Sequence, residues 1–130
     1  MKISLWRDTE NEKQDILNLT KKTFGDVDIA KTVYFDWQYR DSPYGKAVVL
    51  LSRDTDSNNV LVGIHSLIPL KLIVDGEIIT SSVCCNVQIH PDYRKKHIFS
   101  NLLSSVPESA LTNNINSFFG IPNDNSFKAF

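Results

Sequence analysis

The sequence has little of what marks secreted, membrane-spanning or metal-binding proteins. Its 130 residues include two cysteines, and these are adjacent, Cys84 and Cys85. Because neighbouring side chains of a strand point to opposite faces, a disulfide between them is not expected. No Cys and His cluster has zinc spacing, no apolar run approaches the ~20 residues of a membrane span, and the N-terminus does not resemble a signal peptide. We therefore expect a cytoplasmic protein with reduced thiols, no metal and no membrane attachment.

Charge of either sign is also not in excess. Lys and Arg number 14, Asp and Glu number 15, and the net charge is −1. Such a balance gives no overall attraction to nucleic acid or to an anionic membrane, so any anion site must be local. A hydrophobic fraction of 42% over this length fits one domain with a single core.

Hydrophobic periodicity predicts strands and helices along the whole chain. We expect helices at about 9–24, 29–39 and 98–106, and strands at about 2–6, 46–53, 60–66, 70–74, 78–89 and 115–121. Asp75-Gly76 predicts a hairpin, Pro69 a bulge or strand boundary, and Pro107 the end or a kink of a helix. Hairpins followed by a helical crossover predict an α/β (α+β) fold, with a mixed, mostly antiparallel central sheet flanked by helices.

The most informative stretch is 87–103, where a predicted strand leads into a basic turn and the turn opens a helix. Arg94, Lys95 and Lys96 place three charges in the turn, and His97 adds partial charge near neutral pH. The free N–H groups and dipole of a helix N-terminus favour phosphate. The pattern predicts binding of a phosphorylated ligand beyond the carboxyl end of a strand; a solvated basic turn is the open alternative.

The sequence of residues 90–103, HPDYRKKHIFSNLL, resembles the coenzyme A-binding segment of the GNAT superfamily of N-acyltransferases. That segment commonly reads His-Pro-x-Tyr-Arg-Gly-x-Gly-Ile-Phe/Gly-x-x-Leu. Stretches 35–45 (FDWQYRDSPYG), 68–76 (IPLKLIVDG) and 120–126 (GIPNDNS) resemble further parts of the family, in its order. The resemblance covers nearly the whole chain.

The resemblance implies a sheet splayed between its fourth and fifth strands, with the pantetheine arm of acetyl-CoA, or another acyl-CoA, in the splay. It implies that a small-molecule primary amine attacks the thioester directly and accepts the acyl group. The positions that it assigns to the co-substrate are Val87, Gln88, Ile89, Arg94, Lys95, Lys96, His97, Ile98, Phe99 and Asn123. Capping of the last helix is the alternative role of Asn123.

Other polar and aromatic side chains are candidates for contact with the amine. Possible acceptors for its proton are Asp36, His65, Glu77, His90 and Asp92. We single out His90 and Asp36 as catalytic candidates, and a surface or capping role is open for each. Trp37 and Tyr39 are candidates for substrate binding, because their region borders the acceptor site in the family; core packing is the alternative.

Two loop positions depart from the family pattern, because Lys95 and His97 replace its glycines. A left-handed backbone would cost His97 roughly 1–2 kcal/mol, so we expect weakened coenzyme A binding. Phe130 stands where the family often has a tyrosine that protonates the leaving thiolate. The alternative function is therefore a degenerate member that binds coenzyme A or another partner without catalysis.

Family members usually continue for two strands beyond the residue that matches Phe130. We therefore expect residues 1–130 to form one incomplete domain, truncated after the fifth strand. Its apolar edge would then be completed by another chain or in a homodimer. The edge residues are Ile115, Phe118, Phe119 and Ile121.

Overall fold

The computed structural model describes residues 1–94 and 96–122. Its strands and main helices are β1 Lys2–Leu5, α1 Glu10–Phe24, α2 Thr32–Phe35, β2 Val48–Asp54, β3 Val60–Val74, β4 Glu77–Ile89, α3 Ile98–Thr112 and β5 Phe119–Gly120. The described strands form a five-stranded sheet in the order β1-β2-β3-β4-β5. Each neighbouring pair is antiparallel except β4 and β5, which are parallel. The predicted mixed, mostly antiparallel sheet is confirmed.

Helix α1 covers one face of the sheet and has the predicted ends. Thr9 caps its N-terminus, with Oγ1 accepting a 3.2 Å hydrogen bond from the Glu12 amide. Gly25, with φ of +80°, ends it and donates from its amide to the Lys21 carbonyl. The apolar side of α1 is buried in a cluster that includes Trp6, Phe35 and Val49.

Helix α3 covers the opposite face, because alternate residues of β2 point to the two sides. Leu50 belongs to the α3 cluster, whereas Val49 belongs to the α1 cluster. Of the two effects predicted for Pro107, an end or a kink of the helix, the end is wrong, since α3 continues to Thr112. Ala110 explains this, because it is buried in the same core and packing stabilises the final turns.

The predicted helix at 29–39 is broken into three short turns. A 3₁₀ turn, Asp28–Ala30, precedes α2, and a π turn, Asp36–Arg40, follows it. Lys31 lies between the first two with an extended backbone, φ −93° and ψ 139°. Aromatic periodicity does not reveal this break, because the same rings serve tertiary packing: Phe35 meets Trp6 edge to face at 5.6 Å.

The two strands predicted at 60–66 and 70–74 are one continuous strand, β3. Pro69 pairs with Ser82 in register, so the bulge or boundary expected there is wrong. β2 pairs with β3 only as far as Leu67, and a proline is tolerated on the unpaired edge beyond that point. The bulge is instead on β4, where the register passes from Cys85 to Gln88 across a single β3 residue.

The strand predicted at 115–121 is reduced to Phe119–Gly120. Ile115 is buried beneath α3, so its assignment to an uncovered edge is wrong. Phe118, Phe119 and Ile121 are exposed. None of the helices in the described part of the chain is long and apolar enough to cross a membrane.

Candidate functional site

The carboxyl end of β4 extends beyond its pairing with β5. The parallel register joins Val83 to Phe119 and Cys84 to Gly120. Further along, Gln88 and Ile89 pair with β3 on the other side, and within the described residues β5 does not reach them. This divergence leaves the β5-facing edge at 86–89 without a strand partner among the described residues.

The β4 bulge lies at the start of this free edge. Asn86 and Val87 together oppose His65, and Asn86 has a left-handed backbone with φ of +51°. A bulge aims backbone groups out of the regular ladder, and bulges are common beside active sites. Sequence reasoning missed Asn86; the available signal was an asparagine within an otherwise apolar and hydroxyl-rich strand, since asparagine tolerates this conformation.

Tyr39, a predicted substrate contact, lies behind the bulge. Its side chain is 3% exposed, and its hydroxyl shares a 2.7 Å hydrogen bond with Ser66 Oγ. Asn86 Nδ2 donates to the same hydroxyl at 3.0 Å and to Gln38 Oε1 at 2.8 Å. Burial raises the pKa of the Tyr39 hydroxyl well above its ordinary value. Through these contacts the Tyr39 hydroxyl, which is buried, supports the bulge from inside the protein.

Trp37, the other predicted substrate contact, is 63% exposed. Its ring meets Tyr34 edge to face at 5.3 Å. With Val33, Asp28 and Lys31, these rings line a groove of about 420 Å³. Trp37 is therefore accessible to a ligand, in a largely apolar setting.

The three β4 residues predicted to contact the co-substrate differ in the burial and the contacts of their side chains. Gln88 is 2% exposed, and its Oε1 accepts a 3.0 Å hydrogen bond from Thr20 on α1. Its side chain therefore ties β4 to α1, and only its backbone faces the strand edge. Ile89 packs against the α3 core, and Val87 is half-buried.

His90 follows β4 and caps a short 3₁₀ turn, Pro91–Tyr93. Its Nδ1 accepts a 3.1 Å hydrogen bond from the Asp92 amide, and its side chain is nearly buried. In the neutral ring this bond places the proton on Nε2. The geometry matches the capping alternative considered for His90.

The basic turn then leads directly into α3. Arg94, Lys96 and His97 are exposed, while Ile98 is buried and Phe99 is half-buried. His97 has φ of +59° and ψ of 16°, the left-handed conformation expected at a family glycine. The first turn of α3 contains no acidic residue, and the His97 side chain makes no capping bond. This helix end therefore combines positive dipole with nearby cations and suits an anion.

The sequence predictions for Lys95 and Asn123 lie outside the described residues. Both stay as predictions from the resemblance.

The remaining proton-acceptor candidates are dispersed. Asp36 is held by Lys13 Nζ at 2.7 Å and Arg40 Nη1 at 3.4 Å. Glu77 begins β4, at the end opposite the basic turn, whereas Asp92 lies in that turn. His65 is fully buried, and burial lowers its pKa to about 4. The structure thus groups only His90 and Asp92 with the basic turn.

Comparison with known proteins matches this architecture to one family. The model of the acetyltransferase (GNAT) domain matches residues 7–128. A search of curated protein sequences finds no significant match. Three solved structures illustrate the likeness. An acetyltransferase of Trypanosoma brucei is 14% identical, with 98% of this chain and 88% of that chain covered and a TM-score of 0.71.

An aminoglycoside 6′-N-acetyltransferase of Acinetobacter haemolyticus is 18% identical, with 99% and 85% of the two chains covered and a TM-score of 0.69. Another aminoglycoside 6′-N-acetyltransferase, complexed with coenzyme A, is 17% identical, with 92% and 61% covered and a TM-score of 0.65. At these identities the structures show a common fold, and the family model covers most of the chain. The chain belongs to the GNAT acetyltransferase family.

Proposed function

We propose that the chain transfers an acyl group, in the first instance acetyl from acetyl-CoA, to a primary amine. The observation that carries this proposal is the unit formed by the free edge at 86–89, the basic turn and the N-terminus of α3. An extended thioester arm fits beside a strand edge, and a diphosphate fits a helix N-terminus. Membership of an acetyltransferase family supports the same assignment.

The exposed cations of the turn would receive the diphosphate. Arg94 and Lys96 supply positive charge, and the dipole of α3 adds to it. Asp92 is the one acidic side chain in the described turn 91–94 and 96–97. Lys95 and Asn123 are also proposed to contact the co-substrate, on the family resemblance of the sequence alone.

The proposed reaction is direct aminolysis of a thioester. The amine nitrogen bonds to the thioester carbonyl carbon, the carbon–sulfur bond breaks, and coenzyme A leaves as a thiolate. The ammonium proton passes to solvent or to a basic group. The protein would accelerate this by orienting the two substrates and by aiming backbone N–H groups of the bulge at the carbonyl oxygen. The contacts of Asp36 and His90 favour structural roles for both side chains.

The direct test measures free thiol released from acetyl-CoA in the presence of a panel of primary amines. Melting of the protein with and without acetyl-CoA runs alongside, because a ligand of the native state raises the melting midpoint. Amine-dependent thiol release is the expected result. If acetyl-CoA gives no amine-dependent thiol release and also leaves the melting midpoint unchanged, the proposal is wrong.

Binding without catalysis is the second candidate function, and the His97 backbone favours it. A histidine in place of glycine keeps a side chain where the family brings its backbone close to phosphate. This candidate predicts that acetyl-CoA raises the melting midpoint although no amine in the panel yields thiol.

A further inference from the structure

A side-chain hydrogen bond ties the end of the 3₁₀ turn to a distant part of the sheet. The Tyr93 hydroxyl donates to Asp54 Oδ2 at 2.7 Å, across 39 positions of sequence. Asp54 is the last residue of β2, and Tyr93 is the last residue of the 3₁₀ turn before the cations. We call this pair the Tyr93–Asp54 latch.

Both partners of the latch are held by other contacts. Asp54 Oδ1 accepts a 3.0 Å hydrogen bond from the Asp56 amide, which leaves Oδ2 directed to Tyr93. The Tyr93 ring packs against the α3 core and meets the His90 ring edge to face at 5.4 Å. The hydrogen bond lowers the pKa of the Asp54 carboxyl and raises the pKa of the Tyr93 hydroxyl. The latch therefore joins two ordered turns.

Tyr93 also positions one of the cations. Lys96 Nζ lies 4.9 Å from the centre of the Tyr93 ring. An ammonium over an aromatic face is attracted by the ring quadrupole. Since the hydroxyl of this ring donates to a carboxylate, the ring is more electron-rich, and the attraction to Lys96 is stronger.

The turn needs such external support because of His97. A left-handed conformation costs a residue with a Cβ roughly 1–2 kcal/mol, a cost that glycine does not have. His97 adopts it at the entrance to α3, with φ of +59°. Conformations of this kind persist where surrounding contacts hold them in place.

We infer that Tyr93 and Asp54 are positioning residues that hold Arg94, Lys96 and His97 in the arrangement that receives the diphosphate of acyl-CoA. They act through the backbone of the turn and through Lys96, without touching the ligand. This inference rests on the proposed function, since it concerns how the same turn binds acyl-CoA.

The test is the dissociation constant of acetyl-CoA, measured by calorimetry at low and high salt for the wild type and three variants. Tyr93→Phe and Asp54→Ala each remove the hydrogen bond and should weaken binding about 3- to 10-fold. Asp54→Asn keeps an acceptor oxygen and should bind within about twofold of the wild type. The double variant Tyr93→Phe/Asp54→Ala should bind no more weakly than the worse single variant, because the hydrogen bond between the two side chains is already lost in each.

Salt dependence separates positioning from general loosening of the fold. If Lys96 is displaced, it contributes less to the electrostatic attraction of the phosphates. Added salt should therefore reduce the affinity of the latch variants less than it reduces the affinity of the wild type. Tyr44→Phe is the matched control, since Tyr44 is an exposed tyrosine in a separate turn. It should leave affinity and salt dependence unchanged.

The outcomes separate the two proposals. If the wild type binds acetyl-CoA and Tyr93→Phe binds equally well, the latch inference is wrong while the proposed function stands. If the wild type does not bind, both fail. Melting of each variant without ligand shows whether it is folded, and Tyr93→Phe, which loses a single oxygen from a half-buried ring, decides the matter if Asp54→Ala unfolds.

Discussion

The side-chain amide of Asn86 donates to the Tyr39 hydroxyl at 3.0 Å, which joins the β4 bulge to the π turn. The same hydroxyl bonds to Ser66 Oγ on β3 at 2.7 Å. Three locally unfavourable features meet here: a bulge, a left-handed asparagine and a π turn. Such features cost free energy alone and are found where surrounding contacts stabilise them, often beside functional sites.

Replacing Tyr39 by phenylalanine should destabilise the protein by about 1–3 kcal/mol, because the buried Ser66 Oγ and the half-buried Asn86 Nδ2 each lose a partner. The free energy of unfolding in urea measures this. Tyr34→Phe is the control, since the Tyr34 hydroxyl takes no part in this network and should change stability little. Equal effects of the two substitutions would show that the network contributes nothing.

Substitutions at His97 should separate backbone strain from side-chain loss. His97→Gly removes the cost of φ at +59°, so we expect stability to rise by up to about 1 kcal/mol after the greater unfolded-state freedom of glycine is counted. His97→Ala loses the imidazole and keeps the strain, so it should not stabilise. Melting midpoints give the order, and acetyl-CoA should shift the midpoint of the glycine variant more than that of the wild type. Identical behaviour of the two variants would mean that strain at His97 is negligible.

Local sequence signals predicted much of the fold and the basic turn, and tertiary contacts explain the rest. Thr9 and Gly25 mark the ends of α1 because capping depends on neighbouring residues alone. The continuation of α3 past Pro107, by contrast, depends on burial of Ala110 against β-strands distant in sequence. The glycine-like backbone of His97 was predictable only by comparison with the family pattern, since nothing in its own neighbours signals it.

The same distinction applies to the site. The cations at 94–97 are adjacent in sequence and could be found there, whereas Asp54 meets Tyr93 across 39 positions. Asn86 meets Tyr39 across 47. No periodicity or spacing encodes such a pair, because the packing of the turns against the sheet decides which side chains meet.

Close packing of β3 against α3 makes Gly63 sensitive to a single methyl group. A Cβ at this position would lie 2.8 Å from Ile98 Cγ2 and 3.2 Å from Leu102 Cδ1. Gly63→Ala should therefore destabilise the protein by about 1–3 kcal/mol through overpacking. Gly120→Ala is the control, because its nearest neighbour, Cys84 Cβ, is 3.5 Å away at ordinary contact distance. Urea unfolding compares them, and a harmless Gly63→Ala would mean that α3 moves freely to make room.

The buried ring of His65 should make stability depend on pH. Its pKa is lowered by burial to about 4 from an ordinary 6.5, so the unfolded chain binds the proton first as pH falls. Stability from this group is fully present above about pH 6.5 and is lost progressively down to about pH 4, by roughly 3 kcal/mol in all.

His65→Leu cannot be protonated, and both ring nitrogens of His65 lack hydrogen-bond partners within the described residues, so the variant should be at least as stable at neutral pH. Urea unfolding between these pH values should show a shallower loss for His65→Leu than for the wild type. Parallel curves for the wild type and His65→Leu would show that His65 binds its proton without cost in the folded protein.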